Sequence, residues 1–227
     1  FWHGGGWTNG YRQYQTFMAP HVAALGMLMV SPSYRLAPEW PLPCAHEDSL
    51  QMLADLQRRL PQWGGAPDQV YLAGHSAGAH LVSLVNADRR IRQANGVAPL
   101  LGTVSLDAGA IDVVRQMPNI YPFLKARYRE AFGDDEAGWI AASPYHQIDR
   151  SAGPWLGVCS TTRKDDPCAQ ARAYAEKSNS LGVKAGVEEQ AMSHGALNKE
   201  LGLATDYTRR VEAFMAGLDP AVARRLR

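Results

Sequence analysis

Gly74-His75-Ser76-Ala77-Gly78 sets a serine between two glycines, each two positions away. The apolar run Val70-Tyr71-Leu72-Ala73 precedes it, and a helix-compatible run over residues 77–86 follows. A serine on such a strand-to-helix turn is held in a strained backbone conformation that exposes its hydroxyl, and the small flanking residues make room for the turn. The chemistry this permits is nucleophilic attack on an acyl carbon. Ser76 is the expected nucleophile. The plain alternative is a glycine-rich turn without catalytic consequence, and the strand–turn–helix context argues against it.

Attack on an acyl carbon builds negative charge on oxygen, which backbone N–H groups can stabilise. His3-Gly4-Gly5-Gly6-Trp7 offers a backbone free of side chains. Gly5, Gly6 and the N–H of Ala77, just after the serine, are the expected oxyanion donors. The serine also needs a base, and the base needs an orienting carboxylate. His194, in Met192-Ser193-His194-Gly195, is the only histidine after His146 and follows the last expected strand. The remaining histidines have simpler explanations, on helices or beside the serine.

For the order serine, acid, histidine, the carboxylate must lie between Ser76 and His194. Asp165 and Asp166 follow an apolar run over residues 155–160. Asp166, just before Pro167, is the favoured acid. It could instead cap the helix that follows, which would leave the role to Asp165. Asp107, after the preceding apolar run, is a third candidate.

Elements must carry these residues to one place. Strand-like stretches are read at 27–30, 69–73, 101–106, 155–160 and 183–189. Helices are read at 47–60, 77–86, 167–181 and 206–218, from apolar spacing and from proline and glycine signals. The alternation predicts an α/β fold, a mainly parallel sheet flanked by helices. Residues 110–148, with Pro118, Pro122 and several tyrosines, break the alternation. They read as a partly helical, cap-like insertion within a single domain spanning 1–227. Only Phe1 and Trp2 precede the His3 motif, so further strands are expected upstream.

The composition narrows the partners. Hydrophobic residues make up 46% and charged residues 20%, with 23 basic against 22 acidic side chains. That is ordinary for a globular chain, and no basic block interleaved with aromatics suggests nucleic acid. No apolar run approaches the roughly 20 residues of a membrane span, so no membrane partner is expected. Cys44, Cys159 and Cys168 show no metal-ligand spacing and read as free thiols. With the absence of a leader pattern ahead of His3, they point to the cytoplasm. Nothing in the sequence specifies an oligomeric state.

Taken together, His3-Gly4-Gly5-Gly6, Tyr34-Arg35-Leu36-Ala37-Pro38-Glu39, the Ser76 turn, the Asp165/Asp166 pair and His194 resemble the hormone-sensitive-lipase-like esterases of the α/β-hydrolase fold. Gly-His-Ser-Ala-Gly-Ala-His-Leu, with His-Gly-Gly-x-Trp, is also similar to kynurenine formamidases. The resemblance implies a serine hydrolase that cleaves small carboxylic esters through an acyl-enzyme, with no metal or organic cofactor. An arylformamidase acting on N-formylkynurenine is the alternative. A non-catalytic ligand-binding protein on the same fold is less favoured, because all three triad residue types are present.

Overall fold

The computed structural model describes residues 1–14 and 17–226. Among them, four strands form one parallel sheet in chain order: β1 (Tyr71–His75), β2 (Gly102–Leu106), β3 (Trp155–Ser160) and β4 (Ala185–Gln190). Tyr71 pairs with Gly102, Thr103 with Trp155, and Trp155 with Ala185. Every residue of β2 and β3 is buried, as parallel strands covered on both faces must be. β4 is the edge, and its Glu188, Glu189 and Gln190 leave it polar, which discourages pairing with another chain.

The expected strands at 69–73, 101–106, 155–160 and 183–189 thus appear, shifted by up to two residues. The one at 27–30 does not. Its backbone is in no ladder, and a cavity of about 390 Å³ lined by Phe1, Met29, Val30, Leu56 and Leu72 separates it from β1. A ladder needs a neighbour about 4.8 Å away. Here that place beside β1 is taken at one end only, by Trp2, whose N–H donates to the Ala73 carbonyl at 2.8 Å and whose carbonyl accepts from His75 N–H at 3.1 Å.

The helix expected at 47–60 begins earlier, running Leu42–Arg59, because Pro43 fits its first turn. It buries Leu50 and Leu53 against the Ala77–Ala87 helix. All eleven residues of that second helix are buried, so its sequence is apolar or small on every side apart from His80 and Asn86. The Pro167–Ser180 and Asp206–Ala216 helices lie close to their expected ranges. Residues 110–148 hold the helices Val113–Gln116, Lys125–Phe132, Glu136–Ala142 and Pro144–Gln147. Tyr128, Ala131, Phe132 and Ala142 of this segment are buried in the same core as Trp7 and Leu81.

Two of the three expected free thiols are not free. Cys159, in β3, is disulfide-bonded to Cys168, in the first turn of the Pro167–Ser180 helix, with Cα atoms 5.2 Å apart. Spacing alone could not reveal this. The turn between strand and helix folds nine residues of separation back on themselves, and only Cys44 remains a thiol. Closing a loop of this size stabilises a fold by roughly 2–3 kcal/mol in the chain-entropy picture. Cys168→Ser is expected to lower Tm by about 5–10 °C, measured by calorimetry without reductant. Non-reducing peptide mapping should recover the Cys159 and Cys168 peptides linked. A Tm unchanged by the substitution would argue against the staple.

Candidate active site

The Ser76 turn is built as its glycines suggest. Ser76 has φ 57° and ψ −117°, a left-handed conformation that costs a non-glycine residue about 1–3 kcal/mol. Its N–H donates to the Leu106 carbonyl at 2.9 Å, which ties the strained residue to the end of β2. A Cβ at Gly74 would lie 2.4 Å from the Gly78 carbonyl oxygen, and one at Gly78 would lie 2.2 Å from that of Trp2. Neither position tolerates a side chain.

The glycine loop passes directly over this turn. A Cβ on Gly4 would meet the Ser76 Cβ at 3.0 Å. Gly5, Gly6 and Trp7 follow with φ of 131°, 61° and 61°. Trp7 anchors the loop. Its indole N–H donates to His80 Nδ1 at 3.2 Å, and its rings meet those of Tyr128 and Phe132 edge-on, with centroids 5.0 and 4.6 Å apart. His80 Nε2 then donates to the Ala142 carbonyl at 2.7 Å. Because the carbonyl can only accept, His80 carries its proton on Nε2 and is neutral. Burial pushes its pKa down to about 4. One neutral imidazole therefore joins the glycine loop, the Ala77–Ala87 helix and the insertion.

His194 stands at the start of the His194–Lys199 helix, a helix not expected from the sequence. Ser193 caps it by accepting from Ala196 N–H at 3.2 Å. His75, the neighbour of Ser76, donates from Nε2 to the His194 carbonyl at 2.9 Å, and the two rings lie 4.4 Å apart. Burial, reinforced by His194, lowers the His75 pKa to about 3, so His75 is a neutral brace. It fastens the histidine loop to the serine turn.

The carboxylate at His194 is Asp107. Its Oδ2 lies 2.6 Å from His194 Nδ1. Asp107 sits immediately after β2, is fully buried, and has φ 53°. Its Oδ1 accepts from Ser160 N–H at 2.8 Å, and its Oδ2 also accepts from Arg163 Nη1 at 3.0 Å. Burial alone would raise the carboxyl pKa. The His194 bond, the Arg163 charge and the Ser160 N–H outweigh it and hold the group at about 2. An ionised carboxylate only accepts, so His194 carries its proton on Nδ1 and keeps the Nε2 lone pair for a proton from elsewhere.

Asp166, the acid favoured from sequence, is not at the site. It is the N-cap of the Pro167–Ser180 helix, accepting from Ala169 N–H at 3.1 Å, with its side chain 64% exposed. The local hydrogen bond to the helix start has claimed it. Asp165 does not reach His194 either, because Arg163 engages both of its oxygens. The missed signal is Arg163: a cation two residues before Asp165 engages its charge, and the carboxylate that meets His194 comes from the end of the neighbouring strand.

Comparisons with known proteins give the family and the fold. A family model described as the α/β hydrolase fold matches residues 1–198, and the chain belongs to that family. It is similar to Esterase LipQ of Mycobacterium tuberculosis, 27% identical over 187 residues, covering 76% of this chain and 43% of that protein. Carboxylesterase NlhH from the same species is 33% identical over 86 residues, 37% of this chain and 27% of that one. The chain thus spans less than half the length of these relatives. Among solved structures, a truncated carbohydrate esterase from gut microbiota superposes with TM-score 0.76 at 13% identity, covering 99% of this chain and 84% of that one. Carboxyl esterase 2 of Tuber melanosporum does so with TM-score 0.76 at 18% identity, covering 96% and 77%. These structures share the fold.

Two outcomes follow from the site. Asp107→Asn should slow labelling of Ser76 by a serine-directed fluorophosphonate about 10³–10⁴-fold, whereas Asp166→Asn should leave it within about twofold. The reverse ranking would restore Asp166 as the acid. The second concerns pH. His75 and His80 hold their folded pKa values at about 3 and about 4, below the 6.5 of the unfolded chain. Between pH 6.5 and 4 the unfolded state binds more protons, so stability should fall as pH falls through that window. Urea unfolding at pH 7 and pH 5 measures it, and equal midpoints would contradict the neutral-brace reading.

Proposed function

We propose that this chain is the catalytic core of a serine hydrolase that cleaves small carboxylic esters. The observation that carries the proposal is the pairing of buried Asp107 with His194, whose loop is fastened to the Ser76 turn through His75. Ser76 Oγ attacks the ester carbonyl, and His194 Nε2 takes its proton. Asp107 holds the imidazole in the Nδ1–H tautomer and balances the imidazolium as it forms. The N–H groups of Gly5, Gly6 and Ala77 receive the oxyanion. His194 returns its proton to the leaving alcohol, and an acyl-enzyme remains. Water, deprotonated by His194, clears it.

The relatives named as esterases support this reading of the reaction. For the acyl side, we read residues 110–148 as a cap. Tyr128 and Phe132 pack against Trp7, beside the oxyanion loop, which favours a compact substrate over a long-chain lipid. No helix among the described residues is long and apolar enough to cross a membrane. Location is a separate matter. The cytoplasmic expectation rests on free thiols together with the missing leader pattern, and the Cys159–Cys168 disulfide removes the first of these and favours an oxidising compartment.

Ser76→Ala should lower kcat on p-nitrophenyl acetate by about 10⁴-fold or more with the fold intact. A panel of acetyl, octanoyl and palmitoyl aryl esters should show activity falling as the acyl chain lengthens. A long-chain ester as best substrate would defeat the compact-pocket argument. Faster turnover of N-formylkynurenine than of any ester would make the enzyme an arylformamidase.

A further inference from the structure

The loop between β3 and the Pro167–Ser180 helix brings a cation against both members of the Asp107–His194 pair. Arg163 Nη1 lies 3.0 Å from Asp107 Oδ2, 3.2 Å from the Asp107 carbonyl oxygen and 3.3 Å from His194 Nδ1. Arg163 Nη1 always bears hydrogens, and His194 Nδ1 bears one because Asp107 accepts it. Two donors do not bond to each other. They converge on the same carboxylate oxygen, side by side.

The other edge of the guanidinium is held as firmly. Nε donates to Asp165 Oδ1 at 3.0 Å, and Nη2 engages Asp165 Oδ2. The side chain is 20% exposed. A Cβ at Gly109 would lie 3.0 Å from Nη2, so the turn after Asp107 leaves just the space this group needs. The loop is tied down at both ends by the Cys159–Cys168 disulfide. Within it, Ser160 donates its N–H to Asp107 and its hydroxyl to the Met192 carbonyl, two residues before His194.

We infer that Arg163 is a positioning residue for the Asp107–His194 pair: it fixes the Asp107 oxygen that orients His194, and it sets a positive charge beside the imidazole. The inference rests on the proposed reaction. The groups facing His194 are the Asp107 carboxylate from the end of β2, Arg163 and through it Asp165 from the β3 loop, and neutral His75 from β1. The uncharged Tyr207 hydroxyl, bonded to the Leu197 carbonyl, lies on the Asp206–Ala216 helix. Without Arg163, two carboxylates would act on the imidazolium unopposed. Without Asp165, the arginine charge would act unneutralised.

These two changes therefore move the pH profile in opposite directions, which a merely structural role would not do. In the full-length protein, Arg163→Met should lower kcat for p-nitrophenyl acetate about 10–100-fold with KM within about twofold. It should also move the acid limb of kcat/KM up by about one pH unit. Asp165→Asn should move that limb down. Arg163→Lys keeps the charge but not the fork, so kcat should fall while the limb stays near its wild-type position. Rates are taken per active serine, titrated with the fluorophosphonate, so misfolded protein does not count. A wild-type kcat and limb in Arg163→Met, or an acid limb unmoved in both Arg163→Met and Asp165→Asn, would overturn the inference. Asp107→Asn in the same series keeps the two readings apart. If it is fully active, the proposed Asp107–His194 pair itself is wrong. If it is crippled while Arg163→Met is not, only the role of Arg163 falls.

Discussion

Moving a carboxylate out of water costs several kcal/mol unless donors surround it. Asp107 has no exposure at all. Its ionised state depends on three donors from three places: the Ser160 N–H at the end of β3, Arg163 Nη1 in the following loop, and His194 from the segment after β4. Each donor is at its post only if the sheet is in register. Leu106 pairs with Val158, and the Asp107 N–H donates to the Val158 carbonyl at 2.7 Å. A one-residue slip would turn the carboxylate to the other face of the sheet, leaving a buried charge unpaired. The site and the sheet order are therefore one constraint.

Neutral histidines do the complementary work. His75 and His80 lie on either side of Ser76 and are buried, and each uses Nε2–H to hold a carbonyl of a distant segment. His75 reaches the segment that carries His194. His80 reaches Ala142, and its Nδ1 accepts from the indole N–H of Trp7 in the glycine loop. A strained φ at Ser76 persists only when its surroundings over-determine it. Here the surroundings include the Leu106 carbonyl, the two glycines and these two imidazoles.

Local features of the site were legible because local chemistry dictates them. Ser76, its flanking glycines and the glycine loop need particular backbone freedom, and that need is written in the residue types. Likewise β2, β3 and the Ala77–Ala87 helix announce themselves by continuous burial-compatible runs. What was illegible depends on pairing across the chain. Asp107 and Asp166 both follow strands, and although Pro167 marks Asp166 as a candidate helix cap, which carboxylate is buried beside His194 depends on where Arg163 and the helix start lie in space. The 27–30 segment has the composition of a strand, yet a strand exists only beside a partner. Cys159 and Cys168 are nine residues apart, a spacing compatible with thiols or with a bridge until the turn between them is known.

β2 and β3 are neighbours in the sheet, so their C-terminal ends lie side by side and a carboxylate from either is close to the loop carrying His194. Distance alone does not choose between them. The choice follows from what the two ends hold. The end of β3 is short of slack, because the disulfide draws Cys168 back to Cys159 and the helix begins at Pro167, so Asp166 has a free helix N–H within reach and solvent on its other side. The end of β2 continues through Ala108-Gly109, where small residues admit the Arg163 guanidinium. An arginine in the β3 loop then serves both ends at once, satisfying Asp165 with one edge and Asp107 with the other. The carboxylate that meets His194 thus comes from the neighbouring strand while its counter-charge stays on the loop where an acid was expected, and the contact with His194 becomes a shared property of two strands.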